Sequence, residues 1–139
     1  MPFLGSMNVL RARPSVKFDH IAPAGFRILA ALDEATQYLG EDLMITSGTD
    51  SHVAPDPHAL GVAYDISVEG LSVEITMRLV QYLRVTLGTL FTTLYECPTA
   101  PSDARLASIM YLNPDATGPH LHIQRKKGTV FPTPPSVAA

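Results

Sequence analysis

The chain has 139 residues, of which 46% are hydrophobic and 17% charged, a balance that fits one globular domain with a real core. Its net charge is −3 and its pI about 5.9. The only basic cluster is Arg125, Lys126 and Lys127, so there is no footprint for nucleic-acid phosphates. The apolar runs are too short to span a bilayer, which argues against a membrane partner. One cysteine, Cys97, excludes an internal disulfide and fits a structural thiol at a strand end.

In chain order, residues 1–15 form a leader without the charged start and long apolar core of a signal peptide. Residues 16–21 suit a short edge strand. A helix is expected over 23–39: Pro23 fits its first turn, and Gly40 fits its stop. Phe26, Leu29, Leu32, Ala35 and Leu39 recur at helical spacing as its core stripe. Residues 43–47 (LMITS) suit a strand, followed by a polar loop to Pro57 that holds His52. A strand over 62–66 puts Val62, Tyr64 and Ile66 on one face and Asp65 on the other. Ser72 is a natural N-cap for a helix with Ile75, Leu79, Tyr82, Leu83 and Leu87 as its stripe and Gly88 as its end. A strand follows over 89–96, then a loop over 98–104. Residues 107–112 suit a strand or a short helical turn. A turn-rich stretch over 113–119 precedes the last strand, over 121–125. The domain is thus placed at 16–126, and residues 127–139 form a Pro-rich extended tail. Together these elements predict an α+β fold, a small mostly antiparallel sheet with helices packed on one side.

The polar residues with chemical potential fall into two stretches. DSHVAPDPHALGVAYDI, residues 50–66, holds two of the five histidines and Asp50, Asp56 and Asp65. GPHLHIQ, residues 118–124, holds two more histidines. On a strand, His120 and His122 share one face while Leu121 and Ile123 point to the core. Gly61 and Ala63 remove bulk between His58 and Asp65, allowing a close approach to a site. Two histidines and a carboxylate would leave a fourth position open on a zinc ion, the layout of a catalytic site. Spacing alone is equally met by histidines hydrogen-bonded at the surface or in the core.

The segment from His58 to Asp65 (HALGVAYD) resembles the HxxGxAxD motif of zinc D-Ala-D-Ala carboxypeptidases and their phage endolysin relatives, which share the hedgehog/DD-peptidase fold. ITSGTD, residues 45–50, is similar to the strand and loop before that motif, LYE at 94–96 to a strand ending in Glu, and His120-Leu121-His122 to the closing HxH. Order and approximate spacing agree over roughly residues 16–125. The resemblance implies Zn2+ held by His58, Asp65 and His122, with His120 beside it to hydrogen-bond a carbonyl or oxyanion. It implies Glu96 as general base, with Asp115 as the second candidate. The expected activity is hydrolysis of an amide in a peptidoglycan stem peptide. The expected location is a host cytoplasm with release at lysis, or a phage particle, whose structural proteins the tail would meet. The pattern departs from the family at Asp50, where many members carry Arg, and at Asp56, where Ser is common. These departures support an alternative, a zinc-binding module with a structural or wall-binding role and little or no catalysis.

Overall fold

The computed structural model describes residues 7–50 and 56–127. Strand β1 (Leu10–Ala12) is followed by helix α1 (Pro23–Leu39), strands β2 (Leu43–Ser47) and β3 (Ala63–Ser67), and helix α2 (Val73–Leu87). Strand β4 (Phe91–Cys97), the short helix α3 (Ala104–Ile109), and strands β5 (Met110–Leu112) and β6 (His120–Arg125) complete the fold. The six strands form one sheet in the order β1-β2-β3-β6-β4-β5. Its four central strands pair antiparallel, and the two edge strands, β1 and β5, run parallel to their neighbours. The chain is therefore a small α+β domain with a mixed, mostly antiparallel sheet.

The period-two pattern decides which face of the sheet is covered. Tyr64, Ile66, Leu121 and Ile123 are fully buried under the helices, each worth about 1.5–3 kcal/mol relative to exposure. Phe91, Thr93, Tyr95 and Cys97 continue that face across β4. The intervening residues, Asp65, Glu96, His120 and His122, are partly open on the other face. Cys97 closes β4 as a buried thiol.

Helix α1 begins at Pro23 and ends at Gly40 in the left-handed region, as the sequence predicts. Its buried stripe is centred on Ile28, Ala31, Leu32 and Ala35, whereas Phe26 is 59% exposed and Leu29 only partly buried. The expected stripe is thus rotated at its start, because Ala24 and Gly25 occupy the close contact there. Helix α2 is capped by the Ser72 hydroxyl, which accepts from the Ile75 N–H at 3.1 Å. The stretch expected as either strand or helix contains both, α3 and then β5.

The strand expected at 16–21 does not form. Pro14 sits in a turn closed by Val16 N–H to Arg13 C=O, and the chain after it is satisfied by the loop beyond β2. The Thr49 N–H donates to Lys17 C=O at 2.9 Å, the Lys17 N–H to Asp50 Oδ1 at 3.3 Å, and the Asp19 N–H to Thr49 Oγ1 at 3.0 Å. The edge strand is instead β1, inside the stretch expected as a leader, so the sheet begins earlier than residue 16. His52, in the loop after β2, and the tail from residue 128 lie outside the described residues.

Gly61 has φ of 71°, and a Cβ there would lie 2.2 Å from His20 C=O. A Cβ at Gly25 would lie 2.1 Å from Gly61 C=O. The bulk removed at Gly61 therefore serves the docking of α1 onto the turn before β3, a correction to its expected role beside a metal. Gly61→Ala should cost at least about 2 kcal/mol, since strain near 1–2 kcal/mol for the left-handed backbone adds to the collision. Gly70→Ala, at φ 81° with nothing within 4 Å, should show the backbone part alone. Urea unfolding of the two variants measures the difference.

Candidate metal centre

Three elements converge on the open face of the sheet. β3 and β6 pair with Asp65 directly opposite His122, and β6 and β4 pair with His120 opposite Glu96. Cross-strand partners lie close enough for their side chains to meet. His58 comes from a tight turn. Asp56 Oδ1 accepts from the His58 N–H at 2.8 Å, Leu60 N–H bonds back to Asp56 C=O, and Val62 N–H to Pro57 C=O. Asp56 thus does what a serine would do at that position, turning the backbone through a short side-chain acceptor.

His58 Nε2, Asp65 Oδ1 and His122 Nδ1 form one cluster. His58 Nε2 lies 3.3 Å from His122 Nδ1 and 3.4 Å from Asp65 Oδ1, and His122 Nδ1 lies 2.8 Å from Asp65 Oδ1. His58 is buried, and the other two side chains are 17–20% exposed. Zinc bonds of about 2.0–2.1 Å in a tetrahedral set put neighbouring ligand atoms roughly 3.3–3.4 Å apart. Two of the three edges already match, and the third is a hydrogen-bond length that would open by roughly half an ångström.

The donor set fits the same ion. His122 Nε2 lies 2.6 Å from Gln124 Oε1, and this bond to an amide oxygen places the ring proton on Nε2. It leaves the Nδ1 lone pair facing Asp65 and His58, as outer partners of a ligating histidine do. Burial pushes the Asp65 carboxyl up, but hydrogen bonds and charge from His122 and His58 outweigh it and hold the group well below the usual carboxylate range. Burial pushes His122 down, while its bonds to Asp65 and Gln124 and the charges of Asp65 and Glu96 prevail and raise it above 6.5. Either protons or a cation must therefore occupy the centre. The sequence expectation of a metal-binding trio here is met in geometry, with a His/His/Asp set able to chelate a metal ion.

Beside it, His120 Nε2 lies 2.9 Å from Glu96 Oε1, and its Nδ1 lies 3.1 Å from Gly118 C=O. The carbonyl can only accept, so Nδ1 is the donor in that bond, and Nε2 is the nitrogen that faces the Glu96 carboxylate. Asn113 Nδ2 reaches the other Glu96 oxygen at 3.4 Å. Both His120 nitrogens are engaged, so donation toward a substrate requires Nε2 to leave Glu96. Asp115 is exposed on the wall of the same cleft, and its backbone N–H bonds to Asn113 Oδ1.

The cleft has a volume of about 330 Å³ and is lined by Thr46, Ser47, Asp65, Glu96, Asp115 and His120, among others. A register shift between Ile45 and Ser47 turns both Thr46 and Ser47 toward it. Arg13 also lines it and is its one arginine among the described residues. Asp50 is not among the described residues that line it. Its Oδ1 accepts from the Gly48 N–H at 2.7 Å and the Lys17 N–H, securing the loop and the N-terminal segment. Gln124, Asn113 and Arg13 were not singled out in the sequence. Gln124 alone had a signal, the period-two continuation of His120 and His122.

No family model matches the chain, and no curated protein and no solved structure matches it either.

Zinc at a hundredfold excess over its Kd should stabilise the protein by about 2.7 kcal/mol, roughly 8–10 °C in Tm for this length. His122→Ala should abolish the shift in calorimetry. The pH dependence has opposite signs in the two forms. The raised His122 pKa stabilises the metal-free protein below 6.5, and that contribution is lost as pH rises through the folded value. The lowered Asp65 pKa contributes above 3.8 and is lost only as pH falls through its folded value in strong acid. Metal binding needs neutral His122, so the zinc-induced shift should grow from pH 6 to pH 8.

Proposed function

We propose that the chain is a zinc-dependent hydrolase of amide bonds in peptidoglycan stem peptides, with the hedgehog/DD-peptidase fold that its motifs resemble. The observation that carries this reading is the convergence of the His58, Asp65 and His122 ligand atoms beside a cleft that also holds the paired Glu96 and His120. A cleft of about 330 Å³ lies within the size range of small-ligand sites. Zinc, when bound, supplies a Lewis acid that polarises a carbonyl and activates water.

The protein's own groups account for the remaining needs. Amide hydrolysis moves one proton from water to the leaving nitrogen. Glu96 Oε1 is the acceptor for that proton, and Asn113 holds the carboxylate through its other oxygen. His120 Nε2, already bonded to Oε1, either keeps the proton in the pair or donates toward developing negative charge once the bond opens. Gly118 C=O fixes the imidazole orientation throughout. Thr46 and Ser47 offer hydroxyls along the substrate, and Arg13 offers a positive charge at the wall. Asp115 stands further out, and Glu96 is the general base in this reading.

A second reading is a zinc-binding module that recognises cell wall or a particle protein without cutting. The structural use of Asp50, where the resembling family often places Arg, favours it. Zinc-loaded protein incubated with purified muropeptides separates the two, with products identified by mass. On the first reading, cleavage is seen and is lost with zinc removal or His122→Ala. Glu96→Gln should keep the metal while lowering kcat by about 10²–10⁴-fold, the usual contribution of a general base. Stoichiometric zinc with wall binding and no cleavage would establish the second reading instead.

A further inference from the structure

Strand β6 sends a third polar side chain to the open face of the sheet. His120, His122 and Gln124 alternate there with Leu121 and Ile123, which are fully buried under the helices. Residues two apart on a strand are separated by roughly 6.6 Å, within reach of a glutamine side chain turned along its own strand. Gln124 turns back toward His122, and its Oε1 lies 2.6 Å from His122 Nε2. Its cross-strand partner on β3 is Ala63, a single methyl on the face of Asp65, which leaves room for that turn. His120 stands on the other side of His122 along the strand, with its two nitrogens facing Gly118 C=O and Glu96 Oε1.

The ring of His122 is thus held at both nitrogens. Nδ1 lies 2.8 Å from Asp65 Oδ1 and 3.3 Å from His58 Nε2, and Nε2 meets Gln124. Turning the ring over about its Cβ–Cγ bond would put carbon atoms where the two nitrogens now stand. The bond to Gln124 exists in one of these two orientations, the one that presents Nδ1 to Asp65 and His58. An acceptor at the outer nitrogen also makes the inner one a stronger donor to a cation.

We propose that Gln124 is a positioning residue of the metal centre, which sets its affinity for zinc by fixing the orientation of His122 through Nε2. The acceptor oxygen is the part of the side chain that does this. Gln124→Glu keeps an oxygen at the same reach, whereas Gln124→Met keeps the length of the side chain and loses the acceptor. Gln124 is partly exposed, outside the buried face of the sheet, so neither change disturbs the core. The inference rests on the metal centre and holds whatever substrate the cleft takes.

The test is the zinc affinity of the full chain, measured by competition with a chromophoric chelator. Gln124→Met and Gln124→Ala should weaken zinc binding by about 10–100-fold, the usual cost of losing an outer partner of a ligating histidine. Gln124→Glu should bind at least as tightly as the unaltered chain. In the zinc-loaded protein, the His122 Nε2–H proton signal should be present in the unaltered chain and in Gln124→Glu, and lost to exchange with water in Gln124→Met. Unchanged zinc affinity in Gln124→Met would overturn the proposal. So would a Gln124→Glu variant as weak as Gln124→Met, because side-chain shape would then be the cause. A proton signal that persists in Gln124→Met would also overturn it, by revealing another acceptor at Nε2. An unaltered chain that takes up no zinc would sink the metal centre itself, and this inference with it.

Discussion

The arrangement rests on one register, the antiparallel pairing of β3 with β6 that sets Asp65 opposite His122. A one-residue slip would carry Asp65 and both histidines into the core and turn Tyr64, Ile66, Leu121 and Ile123 outward. The full burial of those four residues is therefore what locates the polar cluster. Packing energy on one face fixes the chemistry on the other. β4 adds the second polar pair by the same rule, because Glu96 faces His120 across the neighbouring ladder.

That logic explains how much could be read from the sequence. Period-two alternation needs only local residue identity, so the shared face of His120 and His122 and the separate face of Asp65 were legible. The Ser72 cap and the Pro23 start were legible for a similar reason, as each follows from the chemistry of one or two residues. The edge of the sheet was not. Residues 10–12 (LRA) carry no strand signal of their own, and β1 forms by pairing with β2. Residues 16–21 have the better strand composition, but their polar backbone groups are taken by Thr49 and Asp50. The stripe of α1 was legible in period and wrong in phase at Phe26, since the close approach to the turn before β3 lies at Gly25.

The two departures from the resembling motif have different physical meanings. Asp56 keeps the function expected of a small polar residue, because a carboxylate oxygen accepts the His58 N–H as a hydroxyl would. Asp50 does what an arginine could not, since an arginine side chain accepts no hydrogen bond. A carboxylate there holds Gly48 and Lys17 by their backbone N–H groups, tying the N-terminal segment to the loop after β2. Val16 N–H bonds to Arg13 C=O, and Arg13 N–H to Ile45 C=O, so Arg13 lies at the start of that tied segment, on the cleft wall. Asp50 thus helps secure a segment that carries a positive charge on the cleft wall. A single position cannot show such a link, because the two residues are 37 positions apart and are connected only through the fold.

The three candidate ligands are not held alike. Asp65 and His122 stand on central strands, each paired on both sides. His58 stands on a turn whose hydrogen bonds are mostly local, to Asp56, Pro57 and its own carbonyl. Gly61 and Val62 are exceptions, because the Gly61 carbonyl accepts from Ala22 N–H and anchors the turn to the start of α1, and the Val62 carbonyl accepts from Arg125 N–H at the end of β6. A chelated ion would add a further anchor, from the His58 side chain to the sheet. The free energy of binding would then be shared between forming three bonds and fixing one turn. The Gly61 contact, by fixing that turn in advance, reduces what the metal must order. The tightest backbone approach before β3 therefore belongs to the metal centre after all, through the position of His58 and not through room for the ion.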